Sequence, residues 1–235
     1  MNREENIMPR EVFDRELNEL RIDVLRIASE VEDNLIRVVN ALINKNETIA
    51  RHLIETDQDI NRRYIGIVMD GLGLIARQQP MAGDMRLIAS VIEIAGELER
   101  IHDYIKGIAK TSLEIGSEDK LLPSMALDLP HMAMLTQDML NRTMIAFSEN
   151  NAGLAQVIPA SDNLVDDLFN RIYGDIIEYA SQDPKLIPIA NQYEWVIHNL
   201  ERSADRVINI CEWVIYMATG VYQELDSEYE SPPIS

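Results

Sequence analysis

The chain has 235 residues, 46% of them hydrophobic, and its 40 acidic against 21 basic side chains leave a formal charge of −19. So acidic a protein is not a nucleic-acid binder, since phosphate backbones need clustered Lys and Arg, and it is poorly matched to anionic membrane surfaces. Cys211 is the single cysteine, which excludes an intramolecular disulfide and fits a reducing, intracellular setting. The opening Met1-Asn2-Arg3-Glu4-Glu5 carries no apolar signal region. No run of about 18 apolar residues is present for direct membrane insertion.

The first helix is predicted over Glu11 to Ile43, where Phe13, Leu17, Leu20, Val24, Ile27, Val31, Leu35, Val38 and Leu42 step by three and four. Asn44-Lys45-Asn46 breaks it, and a second helix runs to Arg77 on Leu53, Asp57, Ile60, Tyr64, Ile67, Gly71 and Leu74. Asp57 thus falls at the seam or its border, where a carboxylate is costly unless paired or ligated. Pro80 stops that helix. The third spans Met81 to Ile115 on Leu87, Val91, Ile94, Leu98, Ile101, Ile105 and Ile108, with Gly96 leaving room for close approach.

Gly116 to Pro123 is a polar linker and a halfway boundary. A fourth helix follows from Ser124 to Glu149, a fifth from Ala152 to Ser181, and a sixth from Lys185 to Thr219, ended by Gly220. No strand-like alternation of useful length occurs. The predicted fold is all-α: two tandem three-helix bundles, residues 1–117 and 118–222, related by a pseudo-twofold internal duplication. Residues 223–235 read as a disordered acidic tail.

The duplication is visible in the chemistry. Leu98-Glu99-Arg100-Ile101-His102-Asp103 on helix three returns as Leu200-Glu201-Arg202-Ser203-Ala204-Asp205 on helix six. Two acidic groups four apart on a helix destabilise it by roughly 0.2–0.5 kcal/mol, so something else favours holding them together. With 40 acidic residues, chance supplies several such pairs; the placement is what distinguishes these. Asp57/Asn61 on helix two corresponds to Asp162/Asp166 on helix five, and antiparallel neighbours would bring each set to Glu99/Asp103 or Glu201/Asp205. Clusters of four oxygen-bearing side chains suit divalent or trivalent cations such as Fe, Mn, Zn or Mg. The blander alternative is a surface acidic patch, or pairs neutralised by Arg100, Arg202 and Arg206.

His198, three residues before Glu201, is a possible extra ligand. Glu99-x-x-His102 has the spacing of a ferritin-like di-iron helix, but the equivalent of His102 in the second half is Ala204. A ferritin-like metal-dependent enzyme or metal store is therefore the secondary expectation. No phosphate-cradling glycine motif and no nucleophile elbow is present. Cys211 lies on an apolar stripe with Val207 and Val214 and reads as core, and no catalytic residue is assigned.

Over residues 10–220 the sequence resembles the phosphate-uptake regulator PhoU family. The stretch Arg77-Gln78-Gln79-Pro80-Met81-Ala82-Gly83-Asp84-Met85-Arg86 is similar to its Arg-x-x-Pro-x-Ala-x-Asp-Leu-Arg. The two Leu-Glu-Arg stretches are similar to its repeated Leu-Glu-Arg-Ile-Gly-Asp, and Asn209-Ile210-Cys211-Glu212 completes the set. The resemblance implies two three-helix bundles in pseudo-twofold relation, with multinuclear metal clusters on Asp57/Asn61, Glu99/Asp103, Asp162/Asp166 and Glu201/Asp205. It implies a non-enzymatic regulator linking the ATPase subunit of a phosphate ABC transporter to a phosphate-sensing histidine kinase, peripheral to the inner membrane on its cytoplasmic side. A homodimer or higher homo-oligomer is expected, with Arg77, Asp84, Arg86, Arg100 and Arg202 as candidate partner contacts. His102 for Gly, Ser203-Ala204 for Ile-Gly and Asn61 for Asp depart from the family pattern.

Overall fold

A computed structural model of the chain describes residues 9–78, 80–116 and 121–225, and its regular elements are all helical. Helix α1 spans Pro9–Ile43, α2 Glu47–Gln78, α3 Ala82–Glu114, α4 Pro123–Glu149, α5 Ala152–Val157, α6 Asp162–Gln182 and α7 Ile187–Thr219. The apolar stripe of α1 is buried from Phe13 to Leu42, as are Val91, Ile94, Leu98, Ile101, Ile105 and Ile108 of α3. Each such side chain contributes about 1.5–3 kcal/mol of burial free energy, so the three- and four-residue spacing alone commits these segments to packed helices.

Helices α1, α2 and α3 pack on one another, as do α4, α6 and α7, with α5 against α4 and α7. The two bundles join through α1 against α4 and α3 against α7, the latter the most extensive helix contact in the molecule. These are equivalent elements of the two repeats meeting each other, as a pseudo-twofold axis requires. The loops repeat too. Asn46 N–H donates to Ala41 O at 2.8 Å, and Asn151 N–H donates to Ala146 O at 2.8 Å. Lys45 and Asn150 before them take positive φ (52° and 54°). Asn46 and Asn151 then cap the next helix, accepting from Ile49 N–H and Leu154 N–H. One turn chemistry, written 105 residues apart, closes both hairpins.

The expected fifth helix, Ala152 to Ser181, is divided. Pro159 has no N–H to continue α5, so a 3₁₀ turn over Pro159–Ser161 intervenes and α6 starts at Asp162. Asp162 therefore occupies the first turn of a helix, where the macrodipole favours a negative charge. Helix α7 ends as expected at Gly220, which takes φ 79°. Most of the predicted tail lies outside the described residues, but its beginning folds back: Tyr222 Oη donates to Glu212 Oε2 (2.9 Å) and Leu225 N–H to Glu212 Oε1 (2.8 Å).

Candidate functional site

In the first repeat, Asp57 of α2 lies within electrostatic reach of Glu99 of α3 and is bridged to Asp103 through Lys106. Asp57 is half-buried, and its carboxylate is already engaged. Lys106 Nζ donates to Asp57 Oδ2 at 2.6 Å and to Asp103 Oδ1 at 2.7 Å. Burial pushes the Asp57 carboxyl up, but the Lys106 ammonium and the His102 ring outweigh it and hold it below the ordinary range. Asn61 is exposed. Glu99 is the carboxylate left over, raised by burial and then by Asp103 and Asp57.

His102 is fully buried with both ring nitrogens engaged by Asp57 and Asn34, so the Glu-x-x-His spacing does not form a ligand pair. Its Nδ1 lies 3.4 Å from Asp57 Oδ1 and its Nε2 3.3 Å from Asn34 Nδ2. Arg37 donates to Asn34 Oδ1 at 3.0 Å, so the Asn34 amide presents its N–H₂ to the ring. Nε2 must then accept, and Nδ1–H donates to Asp57. Burial holds the imidazole below its usual value, with Asp57 opposing, which keeps the ring neutral. Gly96 admits the Tyr64 ring, which lies 3.5 Å from where a Cβ would stand.

The second repeat is electrostatically different. Asp162 and Asp166 of α6 face Glu201 and Asp205 of α7, and among the described residues no donor hydrogen-bonds any of these four carboxylates. Asp162 is 2% exposed. Burial, then Asp166, Asp205 and Glu201, push its carboxyl up to about 7. Burial, then Asp205 and Asp166, also push Glu201 up to about 7, and its Oε2 is buried with no hydrogen-bond partner. Asp166 and Asp205 are raised as well, both chiefly by burial. His198 Nδ1 is 3.8 Å from Glu201 Oε2, an ion-pair distance only. Arg202 Nε stands 3.9 Å from Asp205, while Arg206 turns to the buried Glu97 of α3 at 3.5 Å. Among the described residues no three His, Cys, Asp or Glu side chains converge on one point as they stand. The sequence pairing nevertheless brings the four carboxylates together.

The remaining candidates hold the fold. Asp84 Oδ2 accepts from Met81 N–H at 3.2 Å, closing the start of α3, and receives both guanidinium nitrogens of Arg10. Arg77 reaches Glu16 at 3.5 Å. Arg86 packs against Gly220 at the end of α7, and Arg100 is hydrogen-bonded to Glu97. Cys211 is core as expected, against Thr143 Oγ1 at 3.2 Å, its thiol pushed up to about 12 chiefly by burial. Sequence reasoning missed Lys106, Asn34 and Arg37. Only Lys106 carried a local signal, lying three residues after Asp103.

The PhoU domain model matches residues 24–112 and again 129–214. The chain is 32% identical over 217 residues to the phosphate-specific transport system accessory protein PhoU homolog of Streptococcus pneumoniae serotype 4, covering 92% of this chain and 100% of that one. It is 29% identical over 208 residues to the accessory protein PhoU of Escherichia coli K12, covering 88% and 86%. The crystal structure of the phosphate transport system regulatory protein PhoU from S. pneumoniae superposes with a TM-score of 0.83 at 30% identity, covering 91% of this chain and 100% of that one. That of PhoU from Pseudomonas aeruginosa gives 0.83 at 30% identity, covering 89% and 100%.

Proposed function

This chain belongs to the PhoU family, and from that premise we propose that it is a non-enzymatic regulator of phosphate uptake and of phosphate-starvation signalling. It acts as an adaptor between the ATPase subunit of a phosphate ABC transporter and a phosphate-sensing histidine kinase, keeping starvation genes off when phosphate is plentiful. The observation that carries this is the match of both repeats, along nearly the whole chain, to proteins named as accessory to phosphate-specific transport. Among the described residues no helix is long and apolar enough to cross a membrane, which fits attachment at the inner membrane's cytoplasmic face through partners. The charge of −19 speeds and orients encounter with basic partner surfaces, and the chain works as a homodimer or larger assembly.

The second repeat is suited to a cation. Four carboxylates without a hydrogen-bond donor among the described residues, one of them almost wholly buried and another with an orphaned oxygen, gain from added positive charge. Asp162, Asp166, Glu201 and Asp205, with His198 beside them, would hold Fe, Mn, Zn or Mg. Such an ion would neutralise the cluster and cross-link α6 to α7. The first repeat does not fit in the same way, because Lys106 already sits between Asp57 and Asp103.

The test is capture of the kinase's cytoplasmic portion and of the transporter's ATPase subunit on the immobilised protein at physiological salt, with and without added metal. Retention of either supports the adaptor reading; retention of neither in any metal state contradicts it. Separately, Glu201→Ala with Asp205→Ala is expected to lower the metal content of protein purified without chelator, and unchanged content contradicts the metal assignment.

A further inference from the structure

Resting on that assignment of a cation to the second repeat, we infer that Lys106 is the built-in cation of the first acidic cluster, so that only one of the two repeats takes up metal. Three observations carry this. The ammonium bridges α2 to α3 at 2.6 Å from Asp57 and 2.7 Å from Asp103, the short distances of charge-assisted hydrogen bonds. It thus already makes the cross-link between neighbouring helices that a metal ion would make. The free oxygen of Asp57 is taken as well, by Nδ1–H of His102, whose ring is locked by Asn34 and Arg37.

The second observation is the charge count. The first cluster has three carboxylates, Asp57, Glu99 and Asp103, because the fourth position is the amide Asn61, and one ammonium already offsets them. The second has four carboxylates and no lysine. An ion entering the first cluster would have to displace Lys106 or lie beside it, losing two charge-assisted bonds or meeting a like charge at short range. In the second no charge-assisted hydrogen bond stands to be lost, the Arg202 guanidinium lying 3.9 Å from Asp205.

The third is the comparison between repeats. The offset of Glu99 to Glu201 carries Lys106 onto Ile208 and His102 onto Ala204, both buried and apolar. Lysine, histidine and the amide are therefore present together in one repeat and absent together from the other. Lys106 and the Asp57–His102–Asn34–Arg37 chain form one polar network that spans α1, α2 and α3 and engages both oxygens of Asp57 and one of Asp103.

The test uses the full chain and Mn²⁺ alone, with bound metal measured after equilibrium dialysis near neutral pH. Glu99→Gln is expected to leave Mn²⁺ uptake unchanged, and the pair Glu201→Gln with Asp205→Asn to reduce it to background. In that second-repeat variant, Lys106→Met is expected to restore uptake, and a further Asp57→Asn to abolish it again. Uptake that survives Glu201→Gln/Asp205→Asn and disappears with Glu99→Gln overturns the inference while leaving metal binding intact. Absence of restored uptake in a Lys106→Met chain of native helicity also overturns it. In the unaltered chain, Mn²⁺ is expected to broaden the amide resonances of Asp166 and Asp205 and to leave those of Asp103 and Lys106 sharp; broadening of the latter pair overturns the inference without any variant having to fold. Failure of the underlying metal assignment looks different: Glu201→Gln/Asp205→Asn then leaves the Mn²⁺ content of the protein where it was.

Discussion

Lys106 and Ile208 occupy equivalent turns of α3 and α7, yet one places an ammonium 2.6 Å from Asp57 and the other buries hydrocarbon. Together with His102 against Ala204 and Asn61 against Asp166, that difference sets the electrostatics of the two acidic clusters apart. The first is neutralised internally, and its Asp57 is held below the ordinary carboxylate range. The second has no ammonium bridging its carboxyls, and two of the four are pushed up to about 7, first by burial.

Stability of the metal-free protein should fall as pH rises toward and through neutrality. Asp162 and Glu201 are raised in the folded state, so between about 4 and about 7 the folded chain holds more protons than the unfolded one. Their contribution is whole below that window and is lost as pH climbs through about 7. Asp57 and Asp84 are shifted the other way, and their contribution is lost as pH falls below the ordinary carboxylate range. Urea unfolding near pH 5 should therefore give a larger unfolding free energy than near pH 8, by on the order of 1–2 kcal/mol after solvent screening of the partly exposed Glu201. Asp162→Asn with Glu201→Gln should flatten the profile, and an unaltered slope in that variant would refute the cause given.

Asn34→Ala should cost about 1–3 kcal/mol, because it strips the buried His102 Nε2 of its donor and Arg37 of its acceptor. In the unaltered protein, nitrogen-detected NMR should find the proton of His102 on Nδ1. The ring should titrate below a free imidazole, in keeping with its burial. A charged His102 at neutral pH would contradict the tautomer derived from Arg37 and Asn34.

Asp84→Ala should lower stability by about 1 kcal/mol through loss of the bond that closes the first turn of α3. Arg10→Ala should do less, since its guanidinium is exposed. Chemical denaturation of the two variants separates the helix-start bond from the ion pair; equal losses would show that the ion pair carries the effect. The family motif around Pro80 would thus owe at least its aspartate to folding.

The helical stripes, the loop at Asn44-Lys45-Asn46 and the stop at Gly220 were legible because each rests on local chemistry: apolar spacing, an Asn cap, a residue able to take positive φ. The four carboxylates of the second repeat were legible because duplication exposes them twice. Pro159 was passed over within a continuous apolar pattern, although the missing N–H is a local fact, and it moved Asp162 to the first turn of a helix. Lys106 was out of reach for another reason. Its spacing to Asp103 is visible in the sequence, but its bond to Asp57 depends on how α2 packs against α3. Asn34, 68 residues from His102, leaves no trace at all in the spacing of either helix.

The most direct test of the asymmetry is anomalous scattering from crystals of the full chain grown with Mn²⁺. The account predicts Mn peaks among Asp162, Asp166, Glu201 and Asp205, with Lys106 still bridging Asp57 and Asp103. A Mn peak bound to Asp57 and Asp103, with Lys106 turned away, would contradict it.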